Sequence, residues 1–164
     1  MSFQKQVNAN QALGNVGQIS KAHHSFLNVI PAIAADDFVK VGSFVQSSST
    51  ATNENEVVGA SGKQITGSIL GVVVRDSLKV AGDSTPTLEV KKGENCAILT
   101  EGSIFIEVSV EAKKGKYVFL QTTDGALGFY DTTTQSGYTY TGFRVSKGND
   151  TATAGLIEIT TARA

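Results

Sequence analysis

The alternation of apolar and polar residues along most of the chain predicts β-strands rather than helices. In Ser103–Glu111 every second residue is a branched apolar one: Ile104, Ile106, Val108 and Val110. This alternation places the four side chains on one face of a strand, whereas the helical period of 3.6 residues would spread them around the axis. We expect this row to face the core. The opposite face carries Phe105, Glu107, Ser109 and Glu111.

Segments of similar character recur along the chain and are separated by turn residues. They are Phe38–Val45, Ser68–Arg75, Thr87–Lys91, Cys96–Thr100, Ser103–Glu111, Lys116–Gln121, Ala126–Tyr130, Tyr138–Val145 and Leu156–Thr161. Asp124-Gly125 favours a type I′ hairpin turn, which needs positive φ at both central residues. About eight or nine short strands at roughly ten-residue spacing predict an all-β fold, a single compact sandwich or barrel-like domain.

The first part of the chain follows a different pattern. Residues 1–35 are rich in Asn, Gln and Ala, and glycines interrupt the helix-like spacing of their apolar residues. Each glycine in a helix costs about 1 kcal/mol relative to alanine. We therefore expect an extended N-terminal arm over residues 1–35 and a β-rich body over residues 36–164. Within the body, Gln46–Asn55 is expected to be a long exposed loop.

The apolar residues of the arm predict that it contacts another chain. Ordering a segment costs roughly 1–2 kcal/mol per residue, so an arm without regular periodicity gains most by lying along a neighbour. The residues expected to make this contact are Phe3, Val7, Leu13, Val16, Ile19 and Phe26. His23 and His24 would lie near that interface, where protonation below about pH 6.5 could alter it.

Composition and charge exclude several classes of function. Lys plus Arg number 14 and Asp plus Glu 15, so the formal net charge is −1. A nucleic-acid-binding protein usually has a clear basic excess, and none is present. No apolar run approaches the ~18 residues that span a membrane, and we expect neither a signal peptide nor a membrane partner. The single cysteine cannot form an internal disulfide.

Candidate chemical sites are few. Cys96 begins an apolar strand, where a buried and inert thiol is the usual case. Gly59–Lys63 lacks the spacing of a phosphate-binding loop and is expected to be flexible. Glu107 and Glu111 are about 13 Å apart at ~3.3 Å per residue, too far for a glycosidase pair. The basic turn Lys113–Lys116 protects a sheet edge or makes salt contacts to an acidic protein partner. We expect no enzymatic activity, cofactor, metal or small-molecule substrate.

The order of these features resembles the small capsid cement, or decoration, proteins of tailed bacteriophages. The resemblance covers most of the chain and lies in its hydrophobic pattern and turn chemistry. The segments that carry it are Phe3–Gly17, Phe38–Phe44, Ile69–Arg75, Val90–Glu107 and Lys113–Leu127.

The resemblance implies a β-rich module bound to the outer surface of an icosahedral capsid. Its partner would be the major capsid protein, and such proteins often form homotrimers near three-fold positions. It also implies a location in the virion after synthesis in the host cytoplasm. A near-neutral chain can be crowded on a shell with little repulsion, and linked contacts add avidity.

Another virion part, such as a tail, fibre or receptor-binding module, is the alternative. A fibre usually shows repeats along its shaft, and the sequence contains none. A sugar-binding module would favour exposed aromatic residues. Trp is absent, and the tyrosines are Tyr117, Tyr130, Tyr138 and Tyr140.

Overall fold

The structure, a computed structural model, describes residues 14–20, 27–37, 39–48, 53–75, 88–149 and 154–162. Within them the chain forms twelve β-strands. They are β1 (Asn28–Ala34), β2 (Val39–Lys40), β3 (Phe44–Ser47), β4 (Glu56–Gly59), β5 (Ile69–Val73), β6 (Glu89–Val90), β7 (Asn95–Glu101), β8 (Ser103–Val108), β9 (Tyr117–Gln121), β10 (Leu127–Tyr130), β11 (Tyr138–Lys147) and β12 (Gly155–Thr161). The all-β prediction is confirmed, with more strands than the sequence indicated.

Two strands account for part of the difference in number. β1 lies in the segment assigned to the arm, and β4 follows the expected loop directly. β3 extends to Ser47, two residues into that loop. The division of the chain into arm and body stays a prediction.

Five strands close into a barrel in the order β1-β4-β3-β5-β7. β1 runs parallel to β4 and antiparallel to β7. Because a barrel of few strands has a narrow interior, small side chains fill it. With β2 and β6, which pair with each other, the barrel buries Ala32, Ala34, Val39, Val45, Val57, Val73, Val90 and Ile98.

The other five long strands form an open sheet in the order β10-β9-β11-β12-β8. Its inner face packs on the barrel in a second core that includes Phe44, Val72 and Leu99 of the barrel. The ring of Phe44 meets that of Phe143 edge to face, with 5.7 Å between centroids. Such aromatic pairs add stability beyond the area that they bury.

The apolar row predicted for Ser103–Glu111 is confirmed for its first three members. Ile104, Ile106 and Val108 are 0%, 1% and 3% exposed and belong to the second core. The prediction for Val110 is wrong, since its side chain is 41% exposed. β8 ends at Val108, and Ala112 re-enters the core instead.

Gly102 connects the two halves of the fold. It is the single residue between β7 in the barrel and β8 in the sheet, and its φ is 132°. Residues with a side chain rarely adopt this backbone conformation. The glycine therefore lets the chain leave one sheet and enter the other without a loop.

The hairpin expected at Asp124-Gly125 exists, but its predicted turn type is wrong. β9 and β10 pair antiparallel from Leu120 and Leu127 outwards. Gly125 has a φ of 65°, and no non-glycine residue among those described has a positive φ. A type I′ turn would need one at Asp124. The loop is longer instead, and the Gly125 N–H donates to the Gln121 carbonyl at 2.8 Å.

Candidate interaction surfaces

Residues 14–20 of the arm pair with the edge of the sheet through backbone hydrogen bonds and one isolated β-bridge, between Ile19 and Ile104. The Gly17 N–H donates to the Phe105 carbonyl at 2.8 Å, and the Phe105 N–H donates to the Gln18 carbonyl at 3.0 Å. The Ser20 N–H donates to the Ser103 carbonyl at 2.8 Å. These contacts satisfy backbone groups of β8, an edge strand that would otherwise be open to another chain.

The same arm segment also contacts the barrel. The Gly17 carbonyl accepts a hydrogen bond of 2.8 Å from the Arg75 N–H. Val16 packs against Gly42, so closely that no side chain would fit there. Residues 14–20 therefore tie the sheet and the barrel together.

A buried carboxylate fixes the arm to the outer face of the sheet. Glu158 on β12 is 1% exposed. Its Oε2 accepts a hydrogen bond of 2.8 Å from the Ser20 hydroxyl, and its Oε1 accepts one of 2.6 Å from the Ser146 hydroxyl. Hydrogen bonds to a charged group are stronger than neutral ones and offset part of the cost of burying it.

Only part of the predicted contact set falls on described residues. Phe3, Val7, Leu13 and Phe26 lie outside them, as do His23 and His24. Val16 packs against its own barrel, and Ile19 packs against the second core of its own chain. Contact of the six residues with another chain stays a prediction.

An apolar stripe lies on the outside of the barrel along β1. Ala32 and Ala34 point into the barrel, so the alternate residues Leu27, Val29, Pro31 and Ile33 point away from it. Leu27 is 52% exposed and Val29 is 37% exposed. The sequence did not reveal this stripe because both faces of the segment are apolar, which hides the alternation.

The four tyrosines, which lie on β9, β10 and β11, converge on the outer face of the sheet. They surround Phe119, which is 1% exposed. Centroid distances are 5.3 Å from Phe119 to Tyr140, 5.6 Å from Phe119 to Tyr130, 5.1 Å from Tyr130 to Tyr138 and 5.7 Å from Tyr117 to Tyr140. We call Tyr117, Phe119, Tyr130, Tyr138 and Tyr140 the aromatic face.

Basic groups border the aromatic face. Arg144 lies opposite Tyr117 on the neighbouring strand and is exposed. The turn at residues 113–116 lies beside it, since the Gly115 N–H donates to the Val145 carbonyl at 2.8 Å. The Val145 N–H donates to the Lys116 carbonyl at the same distance. These two hydrogen bonds hold the predicted basic turn against β11, next to Arg144.

The surroundings of two tyrosines raise their pKa values. A hydrogen bond with the Tyr138 side chain is the largest cause of the raised pKa of Tyr130, followed by desolvation. Burial is the largest cause for the raised pKa of Tyr140; neighbouring Tyr117 adds to it, and Arg144 opposes it. Both phenols therefore ionise only at a higher pH than an ordinary tyrosine does.

A cleft of about 330 Å³ opens where the end of β8 meets the β9–β10 loop. Phe44, Val108 and Leu120 line its floor, and Glu107 and Val110 lie at its exposed side. Glu111, which the sequence placed on the same face as Glu107, pairs with Lys113 at 3.3 Å. The two carboxylates do not form a site together.

The remaining residues that the sequence offered as candidate chemical sites make contacts that stabilise the fold. Cys96 on β7 is half-buried and packs against the barrel core. Gly59 and Ala60 are buried, so the prediction of a flexible loop is wrong for these two residues. Lys63 forms an ion pair with Asp36. Among the described residues, no three His, Cys, Asp or Glu side chains are placed to hold a metal ion. The same residues include no helix with the length and apolar character needed to cross a membrane.

Comparison with known proteins gives a family and several similar solved structures. The family described as structural cement protein (E217 gp24/Pam3 gp6) matches residues 3–162. A chain of the capsid of Myoviridae phage XM1 has the same fold, with a TM-score of 0.60 and 17% identity over 98% of this chain and 97% of that one. The head fibre gp8.5 N base of bacteriophage phi29 gives a TM-score of 0.47 and 12% identity over 85% of this chain and 97% of that one. No curated protein matches the sequence.

Proposed function

The chain belongs to the phage family of structural cement proteins, and we propose that it binds the outer surface of an icosahedral capsid. It would stabilise the shell by bridging neighbouring major capsid subunits. The family match extends over residues 3–162 and so includes both the arm and the β-strands. The protein is a phage structural protein of the virion, and its role in this proposal is non-enzymatic.

The observation that carries the proposal is the attachment of the arm to the body. Residues 14–20 are hydrogen-bonded to β8 and to Arg75. An arm that starts from this fixed point can contact one subunit while the body contacts another. Two linked contacts bind far more tightly than either alone, because the second forms at a high effective concentration.

The apolar stripe on β1 supports contact between copies. Contiguous exposed apolar side chains on a soluble protein often mark an interaction site. We propose that the stripe packs against neighbouring copies in a homotrimer that assembles on the shell. The complete particle would form after synthesis in the host cytoplasm, with the trimer on its outside.

The test of the arm uses shells assembled without this protein. We expect deletion of residues 1–13 to keep the fold, because residues 14–20 still pair with β8. The deletion should lower shell binding in cosedimentation and lower the temperature at which shells release their contents. Serine in place of Phe3, Val7 and Leu13 should act similarly.

A control with equal numbers of changes separates apolar contact from arm length. Serine in place of Gln4, Gln6 and Gln11 should leave shell binding unchanged. If the protein without residues 1–13 binds and protects shells as well as the full chain, the arm is no tether. If the full chain binds no shell but is found on tails, the alternative virion part is favoured.

The trimer is tested by placing a negative charge at two apolar positions of nearly equal exposure, one valine and one leucine. Val29 on the stripe is 37% exposed, and Leu88 is 36% exposed and precedes β6, which pairs with β2 and not with β1. We expect Val29→Asp to reduce trimers in analytical ultracentrifugation and on shells, and Leu88→Asp to leave them intact. A full-length protein that is monomeric both in solution and on shells would contradict the trimer.

A further inference from the structure

We propose that the aromatic face and its basic border dock an acidic segment of the shell protein. This inference rests on the proposed function and names a surface of the body that would make the contact. The face consists of the four tyrosines and Phe119. The border consists of Lys114 in the basic turn and Arg144 opposite Tyr117.

The aromatic face has the composition and order of a protein-binding surface. Tyr and Arg are enriched among the residues that dominate binding energy in interfaces, because they offer a large contact area together with hydrogen-bonding groups. Here the rings pack against one another, with interplanar angles of 84°, 80° and 65° in three of the pairs. Rings held in this way lose little side-chain freedom when a partner binds.

The charges around the face select an acidic partner. Three described carboxylates on the flanking strands and turn are already engaged: Asp131 pairs with Lys116, Glu111 pairs with Lys113, and Glu158 is buried. Lys114 and Arg144 are exposed and form no ion pair with any described residue. The border therefore presents two positive groups, which a carboxylate-bearing segment would complement.

The position of the face fits a protein that bridges two subunits. Sheet order places β10, β9 and β11 at one side and β8 at the other. The arm pairs with β8, so it leaves the tyrosine-bearing strands uncovered by its described residues. One molecule can then bind one subunit through the arm and another through the aromatic face.

Charge reversal at the border gives the first test. The double variant Lys114→Glu and Arg144→Glu should bind shells at least about ten-fold more weakly than the unchanged protein, with a smaller dependence on salt. The matched control is Lys91→Glu and Lys92→Glu, which makes the same change in net charge at an exposed turn of the barrel. Equal losses in both variants would show general electrostatics and overturn the assignment.

The tyrosines themselves give the second test, because all four in the chain lie on this face. Nitration of tyrosine should be slower when the protein is bound to shells than when it is free. Acylation of Lys91 and Lys92 should be unchanged. If the bound protein is nitrated as fast as the free protein, the face does not dock, whereas the proposed function stands.

If the protein binds no shell, that result counts against the proposed function alone. A soluble probe then tests the aromatic face by itself. A glutamate-rich peptide without aromatic residues should shift the ¹⁹F signals of protein labelled with 3-fluorotyrosine. The shifts should disappear in the charge-reversed double variant. Absence of shifts in the unchanged protein, or tighter binding of polygalacturonate than of the peptide, would overturn the acidic protein segment as the ligand.

Discussion

The hydroxyl of Ser20 donates a hydrogen bond of 2.8 Å to Oε2 of Glu158, a residue 138 positions later in the chain. Glu158 is 1% exposed, so this contact joins the arm to a carboxylate that water scarcely reaches. A buried charge without its hydrogen bonds is costly. The arm therefore contributes to the stability of the sheet.

We expect Ser20→Ala to lower the free energy of unfolding by about 1.5–3 kcal/mol, the range for a hydrogen bond to a charged group. Urea unfolding measures this loss. Hydrogen exchange at the amides of Gly17 and Ser20 should also become faster, because the arm is held less firmly against β8.

The control for Ser20 is a hydroxyl pair without charge. The Ser103 hydroxyl donates to Thr160 Oγ1 at 2.8 Å, and Ser103→Ala should cost only about 0.5–1.5 kcal/mol. Exchange at Gly17 should then stay slow. Equal effects of both substitutions would mean that Glu158 gives the Ser20 contact no added strength.

Two members of the same predicted apolar row should differ sharply. Ile106 is 1% exposed and Val110 is 41% exposed. Ile106→Ala should cost about 2–5 kcal/mol through lost burial and a cavity, and Ile106→Asp should prevent folding. Val110→Ala should change stability by no more than about 0.5 kcal/mol. Thermal melting followed by circular dichroism compares them, and an unchanged melting curve for Ile106→Asp would refute the core assignment.

This pair also shows how far local pattern predicts the fold. Period-two alternation identified the buried face of β8, because burial on one side of a strand leaves that mark in the sequence. It could not show that β8 ends at Val108, since the end depends on pairing with β12. β1 was missed as a barrel strand for a related reason: its inner and outer faces are both apolar.

The aromatic face could not be predicted from any local segment. Tyr117, Tyr130, Tyr138 and Tyr140 lie on three strands, and only the pairing of β9 with both β10 and β11 brings them together. The sequence contains only four tyrosines and no Trp, which argued against a sugar-binding module. Their convergence is a property of the sheet order, which single-sequence patterns do not specify.

Gly125 should be far less tolerant of a side chain than Gly93. Both have positive φ, 65° and 85°, so alanine is strained at either position. A Cβ at Gly125 would collide with the backbone carbonyl of Ala60, whereas one at Gly93 would meet nothing within 4 Å. Strain alone costs about 1–2 kcal/mol, and the collision should add about 1–3 kcal/mol.

Urea unfolding of Gly125→Ala and Gly93→Ala separates these two contributions. The difference between them measures the contact of the β9–β10 loop with the barrel, because the backbone strain is common to both. If the two variants are equally stable, the loop moves away from Ala60 at little cost. In that case the described packing of hairpin on barrel would contribute little to the fold.

The stability of the protein should fall at high pH through the tyrosines of the aromatic face. The pKa values of Tyr130 and Tyr140 are raised in the folded protein, so the folded state holds these protons more tightly than the unfolded chain. Their contribution is complete below the unfolded pKa of about 10 and is lost as the pH rises through the folded values. Urea unfolding at pH 8, 10 and 11 follows the loss, and tyrosinate absorbance at 295 nm follows the ionisation.

Lysines also titrate in this range, so the control is the double variant Tyr130→Phe and Tyr140→Phe. It should lose less stability between pH 8 and 11 than the unchanged protein, because it has no phenol to ionise at either position. Equal losses would mean that these two hydroxyls ionise as readily in the folded protein as in the unfolded chain.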